Sequence, residues 1–292
     1  MEAVAERLPR ASDDRAAPDP LDFAPGENFP VASRLIRRDL RPAVMAFYRY
    51  ARAADDVADH PGLSVSSKLD RLGEFEAGLV EGAGDDHAVV LRLTLAAHPR
   101  GRELNRCALT LLGAFRQDAR GADYPDWETL RAYCAMSADP VGRFLLHLHE
   151  EGPETHSSSD ALCTALQVLN HLQDIRPDRE ALGRVYLPGT WLADAGATPA
   201  DLSSPYLSDA IRMAIHRTLD ACDALLREAG PLPGLIRSRG LRAQAAATLF
   251  LARRLSARLR RGDPLAGRIR PSRSDFALAG GLGVWRAVRR PS

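Results

Sequence analysis

Apolar residues recur at helical spacing along nearly the whole chain, and the β-branched alternation that marks strands is almost absent. That pattern predicts an all-α protein. Helices are expected over 32–38, 42–59, 66–80, 88–97, 102–117, 127–137, 140–149, 159–175, 208–229 and 235–261. The breaks fall at Pro61-Gly62, Gly82 to Gly84, Pro99 to Gly101, Gly152-Pro153 and Pro231 to Gly234. Pro42 sits where a first-turn proline belongs, and Ser158, Ser159 and Asp160 read as N-caps before ALCTALQVLN.

A chain of 292 residues with 45% hydrophobic content can bury a full core, and no linker interrupts its middle. One helical domain is expected over 28–270, behind a charged, Pro-rich segment, 1–27, that reads as disordered. Residues 271–292 read as a tail that packs as a short docking helix. Its apolar run FALAGGLGVW stands beside RAVRR, a pairing that would suit loose contact with a bilayer. No stretch of about eighteen apolar residues occurs, so no transmembrane helix is expected, and the N-terminus lacks the apolar core of a signal peptide.

The formal net charge of +1, with no basic block apart from the acidic residues, argues against nucleic acid as a partner. Of the 39 basic residues only Lys68 is lysine, which lowers the weight of any single arginine. Cys107, Cys134, Cys163 and Cys222 show no metal-ligand spacing and read as reduced core thiols of a cytoplasmic protein.

Two aspartate pairs carry the chemistry. Asp55 and Asp59 in AADDVAD, and Asp174 and Asp178 in LQDIRPD, are each four apart, so on a helix each pair stacks two carboxylates on one face. Such pairs also decorate solvated helix faces, but both of these end largely apolar helices, where carboxylates are costly unless paired or metal-bound. Four carboxylates that repel one another suit Mg²⁺ shared with substrate phosphate oxygens. The expectation is a diphosphate site. Pro177 lies inside the second pair, where its ring clashes with the carbonyl of Gln173, so the helix should end or kink there and Asp178 need not stack over Asp174.

Three segments, ENFPVASRLIRRDLRPAVMAFYRYARAADDVAD, YCAMSADPVGRFLLHL and LNHLQDIRPDREALGRVYLP, resemble in order and spacing the squalene and phytoene synthase family of head-to-head prenyl synthases. The likeness covers Glu27 to Pro188. Within the family, the opening segment, SADPVGR and Gln173 look most like the bacterial hydroxysqualene synthase branch of hopanoid biosynthesis.

The resemblance implies an isoprenoid-synthase helical bundle around a central apolar cavity, with Mg²⁺ as cofactor and no NADPH. It implies that Asp55, Asp56 and Asp59, with Asp174 and Asp178, hold the metal, and that Arg52, Asn170, Arg184 and Tyr186 serve the diphosphate. Tyr133 would sit near the reacting carbons, Phe29 near the pocket opening and Gly142 in the pocket. Gln173 would place a water or reshape the diphosphate end. Tyr133 could equally be a core tyrosine with a satisfied hydroxyl, and Gly142 a close helix crossing. Arg34, Arg37, Arg38 and Arg41 read as a solvated face before a phosphate rim, and His147, His149 and His171 fit no zinc spacing.

The implied activity is conversion of presqualene diphosphate to hydroxysqualene. Its rivals are a condensing squalene, presqualene diphosphate or phytoene synthase, and a non-catalytic assembly protein of the same fold. A prenyl diphosphate is the expected partner, with functional coupling to a presqualene diphosphate synthase and a squalene-forming oxidoreductase. A monomer working in the cytoplasm, or against the inner face of the membrane, is expected.

Overall fold

The computed structural model describes residues 35–288; the segment read as disordered, 1–27, and Phe29 lie outside them. Among the described residues the protein is all-α, without strands. Seven long helices alternate with shorter ones: α1 (Arg41–Ala58), α2 (Val65–Val80), α3 (Asp86–Leu95), α4 (Gly101–Arg120), α5 (Trp127–Ser137), α6 (Asp139–Leu148), α7 (His156–Gln173), α8 (Ile175–Pro177), α9 (Gly189–Asp194), α10 (Asp209–Glu228), α11 (Leu232–Leu235), α12 (Arg239–Leu259) and α13 (Arg273–Val288). The ends follow local chemistry: Ser64, Asp85, Asp126 and Ser208 each accept a backbone N–H at the start of α2, α3, α5 and α10. Gly121 closes α4 at φ 72°, a left-handed conformation in which a side chain would be strained.

Two expectations fail at helix starts. Residues 35–40 form turns rather than the end of a helix, because Pro42 has no N–H for an upstream carbonyl and its ring excludes a continuous helix into α1. Helix α7 begins at His156, ahead of the serines read as its caps. A 3₁₀ turn started by Pro153 leads into it, so Ser158 is already inside the helix and donates to the Glu228 carbonyl (3.1 Å) at the end of α10.

The core forms two apolar clusters. One joins α1 to α4 and α6 around Phe47, Tyr50, Phe75 and Phe144; the other joins α5, α7, α10 and α12 around Leu162, Leu169, Ile215 and Leu255. Between them lies a cavity of about 350 Å³, to which Val44, Phe47 and Phe144 contribute from the first and Leu146, Leu162, Leu241 and Ala245 from the second. It is the central apolar cavity.

Gly142 lines this cavity and stands at a close crossing of α6 over α7. A Cβ there would stand 2.5 Å from Ser159 Oγ and 2.6 Å from Cys163 Sγ. Alanine gains roughly 1 kcal/mol of helix propensity, but overpacking of this kind costs about 1–3 kcal/mol. Gly142→Ala is therefore expected to lower stability by about 1 kcal/mol in denaturant melts.

Asp139, at the first turn of α6, accepts from Thr164 Oγ1 at 2.9 Å, while Arg143 is occupied by both oxygens of Asp160 at 2.7 and 2.5 Å. Burial, reinforced by Asp160, pushes its carboxyl up to about 7. An acid raised on folding binds more protons folded than unfolded between pH about 4 and about 7, so its contribution turns against folding as pH rises through that window. Asp139→Asn keeps an acceptor for Thr164. It is expected to stabilise the protein by about 1 kcal/mol at pH 8 and by less at pH 5, read as the difference in melting temperature.

Candidate active site

Helices α1 and α7 line the cavity with successive turns and end on their aspartates. On α1 the wall residues Val44, Phe47, Tyr48 and Ala51 lead one turn on to Asp55; on α7 Ser159, Leu162, Cys163, Leu166 and Asn170 lead one turn on to Asp174. Both carboxylate motifs thus cap one end of an apolar chamber. A long apolar chain in the chamber would present a charged head there.

The first motif is held by arginines. Arg52 reaches Asp55 Oδ2 at 3.4 Å and Asp56 Oδ1 at 3.2 Å. Asp59, the residue that closes α1, lies 2.7 Å from Arg184 Nη1, and Arg184 Nη2 donates to the backbone carbonyl of Asp118 at 3.1 Å. Burial and the neighbouring charge of Asp59 push the Asp55 carboxyl up to about 7.

Arg184 also borders an aromatic cluster. Tyr133 Oη donates to Asp118 Oδ2 at 2.9 Å, and the rings of Tyr124, Tyr133 and Tyr186 lie 5.1–5.8 Å apart. His171 stacks on Tyr186 at 3.5 Å between centroids, and burial lowers its affinity for a proton against the pull of Asp178. Burial also raises Asp118, to about 6, against the pull of Arg184 and the Tyr133 hydroxyl.

The second motif is split. Helix α7 stops at Gln173, Asp174 leaves helical geometry (φ −105°, ψ 15°), and a π-type turn over Asp178–Leu182 follows α8. Pro177 causes this, since it cannot donate to Gln173. Yet Asp178 N still donates to Asp174 O at 2.8 Å, so the chain re-enters the helical path immediately. The side chains take different partners: Asp174 Oδ2 meets Arg268 at 3.0 Å, while Asp178 Oδ2 lies 3.9 Å from His171 Nδ1. Burial raises the Asp174 carboxyl, with Arg268 opposing it.

Most residues expected in the site are accordingly close to it. Asn170 lines the cavity directly, whereas Tyr133, Tyr186 and Arg184 stand at its charged end rather than in its apolar wall. Gln173 is 1% exposed and donates to the Ile269 carbonyl, away from the wall. Three residues were missed. Asp118 is the carboxylate on the buried face of α4, between Phe115 and Ala119, and its place among apolar neighbours was the available signal. His171 fits no zinc spacing and so carries no signal of its own, and Arg268 has none, because it joins the site from a loop more than ninety residues past Asp174.

Among the described residues no three His, Cys, Asp or Glu side chains form a ready metal cage. Mg²⁺ does not require one, since it binds through one or two carboxylates and completes its shell with water and substrate phosphate. The donor set is all carboxylate oxygen, and buried Asp59 Oδ1 meets Arg184 by charge without hydrogen-bond alignment. These residues fit such an ion.

The squalene/phytoene synthase family model matches residues 24–275. The chain belongs to the squalene/phytoene synthase family. It is 39% identical to a hydroxysqualene synthase of Zymomonas mobilis over 85% of this chain and 84% of that one. A phytoene synthase of Rhodobacter capsulatus is 31% identical over 68% of this chain and 59% of that one. Among solved structures, squalene synthase HpnC from Alicyclobacillus acidocaldarius is 34% identical, with a TM-score of 0.67 over 78% of this chain and 85% of that one. This family's chains process prenyl diphosphates.

Proposed function

We propose that the protein is a hydroxysqualene synthase, which ionises presqualene diphosphate and lets one water capture the rearranged cation. The observation that carries the reading is the junction of an apolar cavity with two aspartate motifs and Arg184 at one end. The identity to a hydroxysqualene synthase, higher and more extensive than to a phytoene synthase, chooses the branch.

In this reading Asp55, Asp59, Asp174 and Asp178, with Asp56 at the exposed edge, would hold Mg²⁺, which supplies charge to stabilise the departing diphosphate. Arg184 and Arg52 are forks suited to phosphate oxygens. Asn170 orients the same end from the wall. Tyr133 and Tyr186 would border the charged end with their rings, near developing positive charge, and the apolar wall excludes bulk water. Gln173 acts indirectly, fixing the loop that carries Arg268; a Gln173→Arg variant that released diphosphate at the same rate would refute that role. Both aspartate pairs are intact, which speaks against a non-catalytic relative.

The membrane reading has support of its own. Leu278 and Trp285 are 60% and 46% exposed on α13, and the adjoining Arg268, Arg270 and Arg273 are exposed as well. No helix among the described residues is long and apolar enough to cross a bilayer. Sedimentation with vesicles containing anionic lipid should carry the protein down, and Trp285→Ala should weaken that severalfold.

The deciding experiment supplies the purified protein and Mg²⁺ with presqualene diphosphate in one tube and farnesyl diphosphate in another. Hydroxysqualene from the first alone is expected by mass spectrometry. Presqualene diphosphate or a hydrocarbon from the second would move the chain to the condensing branch.

A further inference from the structure

Water capture inside an apolar chamber requires something to hold the water. A buried water needs two to four polar partners, and an apolar cavity without them stays dry. Among the described residues, five side-chain atoms are buried without a hydrogen-bond partner, on Asp59, Asn105, Ser137, His149 and His156. Of these residues Ser137 is the one that lines the cavity.

Its position in the chain is informative. Ser137 is the last residue of α5, one turn beyond Tyr133 on the same helix face, and Tyr133 is anchored to Asp118 at the charged end. Ser137 therefore stands about 5–6 Å along the helix from the diphosphate end. A serine late in a helix ordinarily returns its hydroxyl to the carbonyl four residues back, and this one does not. A hydroxyl without a partner is costly when buried, so its presence in this wall asks for a ligand. Of the other polar wall groups, Gln167 meets His171 at 3.2 Å and Tyr48, Asn170 and Gln244 have partners, while Thr248 on α12 is a further hydroxyl in the wall.

We propose that Ser137 is the water-positioning residue of the reaction, its hydroxyl turning about χ1 to accept a hydrogen bond from the single water that captures the cation. This rests on the hydroxysqualene reading above. A lone pair of the water oxygen forms the new C–O bond, the carbon loses its positive charge, and the proton shed by the resulting oxonium passes to an oxygen of the released diphosphate. No oxidant or reductant is consumed. If the water is not held, the cation instead loses a proton from a neighbouring carbon and yields a hydrocarbon.

The test is product partition. Wild type, Ser137→Thr, Ser137→Ala and Ser137→Val are given presqualene diphosphate and Mg²⁺; C30 products are separated by gas chromatography–mass spectrometry, and diphosphate release is counted in parallel. In Ser137→Val the share of hydroxysqualene per diphosphate released should fall at least fivefold, with hydrocarbon rising, while Ser137→Thr should retain the alcohol. A merely structural serine would change the rate of release without changing the split. An unchanged split in Ser137→Val overturns the proposal, and if that variant does not fold, an unchanged split in Ser137→Ala does so. Wild type that releases diphosphate but forms no hydroxysqualene would refute the parent reading, a result separate from either.

Discussion

Arg184→Ala should lower turnover at least about a hundredfold and reduce stability by about 2–3 kcal/mol. Its guanidinium spans two groups, the Asp59 carboxylate at 2.7 Å and the Asp118 carbonyl at 3.1 Å, which also accepts from the Gly121 N–H at 3.0 Å. Removing it leaves the partly buried Asp59 carboxylate without its cation, and loss of one partner of a buried pair is costly because the other remains. The catalytic cost follows from the same fork, since losing one donor to a developing oxyanion typically costs about 10²–10³ in rate. Arg184→Lys should separate the two effects. Lysine restores charge beside Asp59 but cannot reach both acceptors in one plane, so melting temperature should recover largely and turnover only in part. Full recovery of turnover would mean that charge alone is needed.

The second large effect concerns the divided motif. Asp174→Ala should abolish turnover, a loss of at least about a thousandfold, whereas Asp178→Ala should weaken it by about 10–100-fold. The asymmetry comes from Pro177. Asp174 closes α7 one turn past the cavity residue Asn170 and meets a cation, Arg268, that a metal could replace. Asp178 enters from the π-type turn and faces His171. Initial rates over a Mg²⁺ titration measure both; equal losses would show that the proline does not set the second carboxylate apart.

Much of this was legible in the residues. Helical period with Pro and Gly breaks located α5 at Trp127–Ser137 and brought most other helices within a few residues, because amphipathic stripes and caps are local properties. The segment ahead of α1 and the start of α7 were harder, since Pro42 and Pro153 act on the backbone around them, and the Ser158 hydroxyl is spent on a carbonyl of α10. In the site, paired aspartates announce themselves by spacing. Asp118 and Arg268 do not: each becomes meaningful only through a tertiary neighbour, Tyr133 in one case and Asp174 in the other. The Gln173 position shows the opposite limit, a residue beside the motif whose amide is spent on Ile269.

The loop between α12 and α13 is tied to α8 and the end of α7 three times, by Arg176 to the Leu265 carbonyl, Gln173 to the Ile269 carbonyl and Arg268 to Asp174. Surface connections usually absorb insertions and deletions without consequence. Between Leu265 and Ile269 this one cannot, because a single residue added there would put the ties out of step with one another. Across relatives that keep the chemistry, its length should stay fixed while other surface connections drift, so that an apparently free stretch of chain evolves under the same constraint as the aspartates themselves.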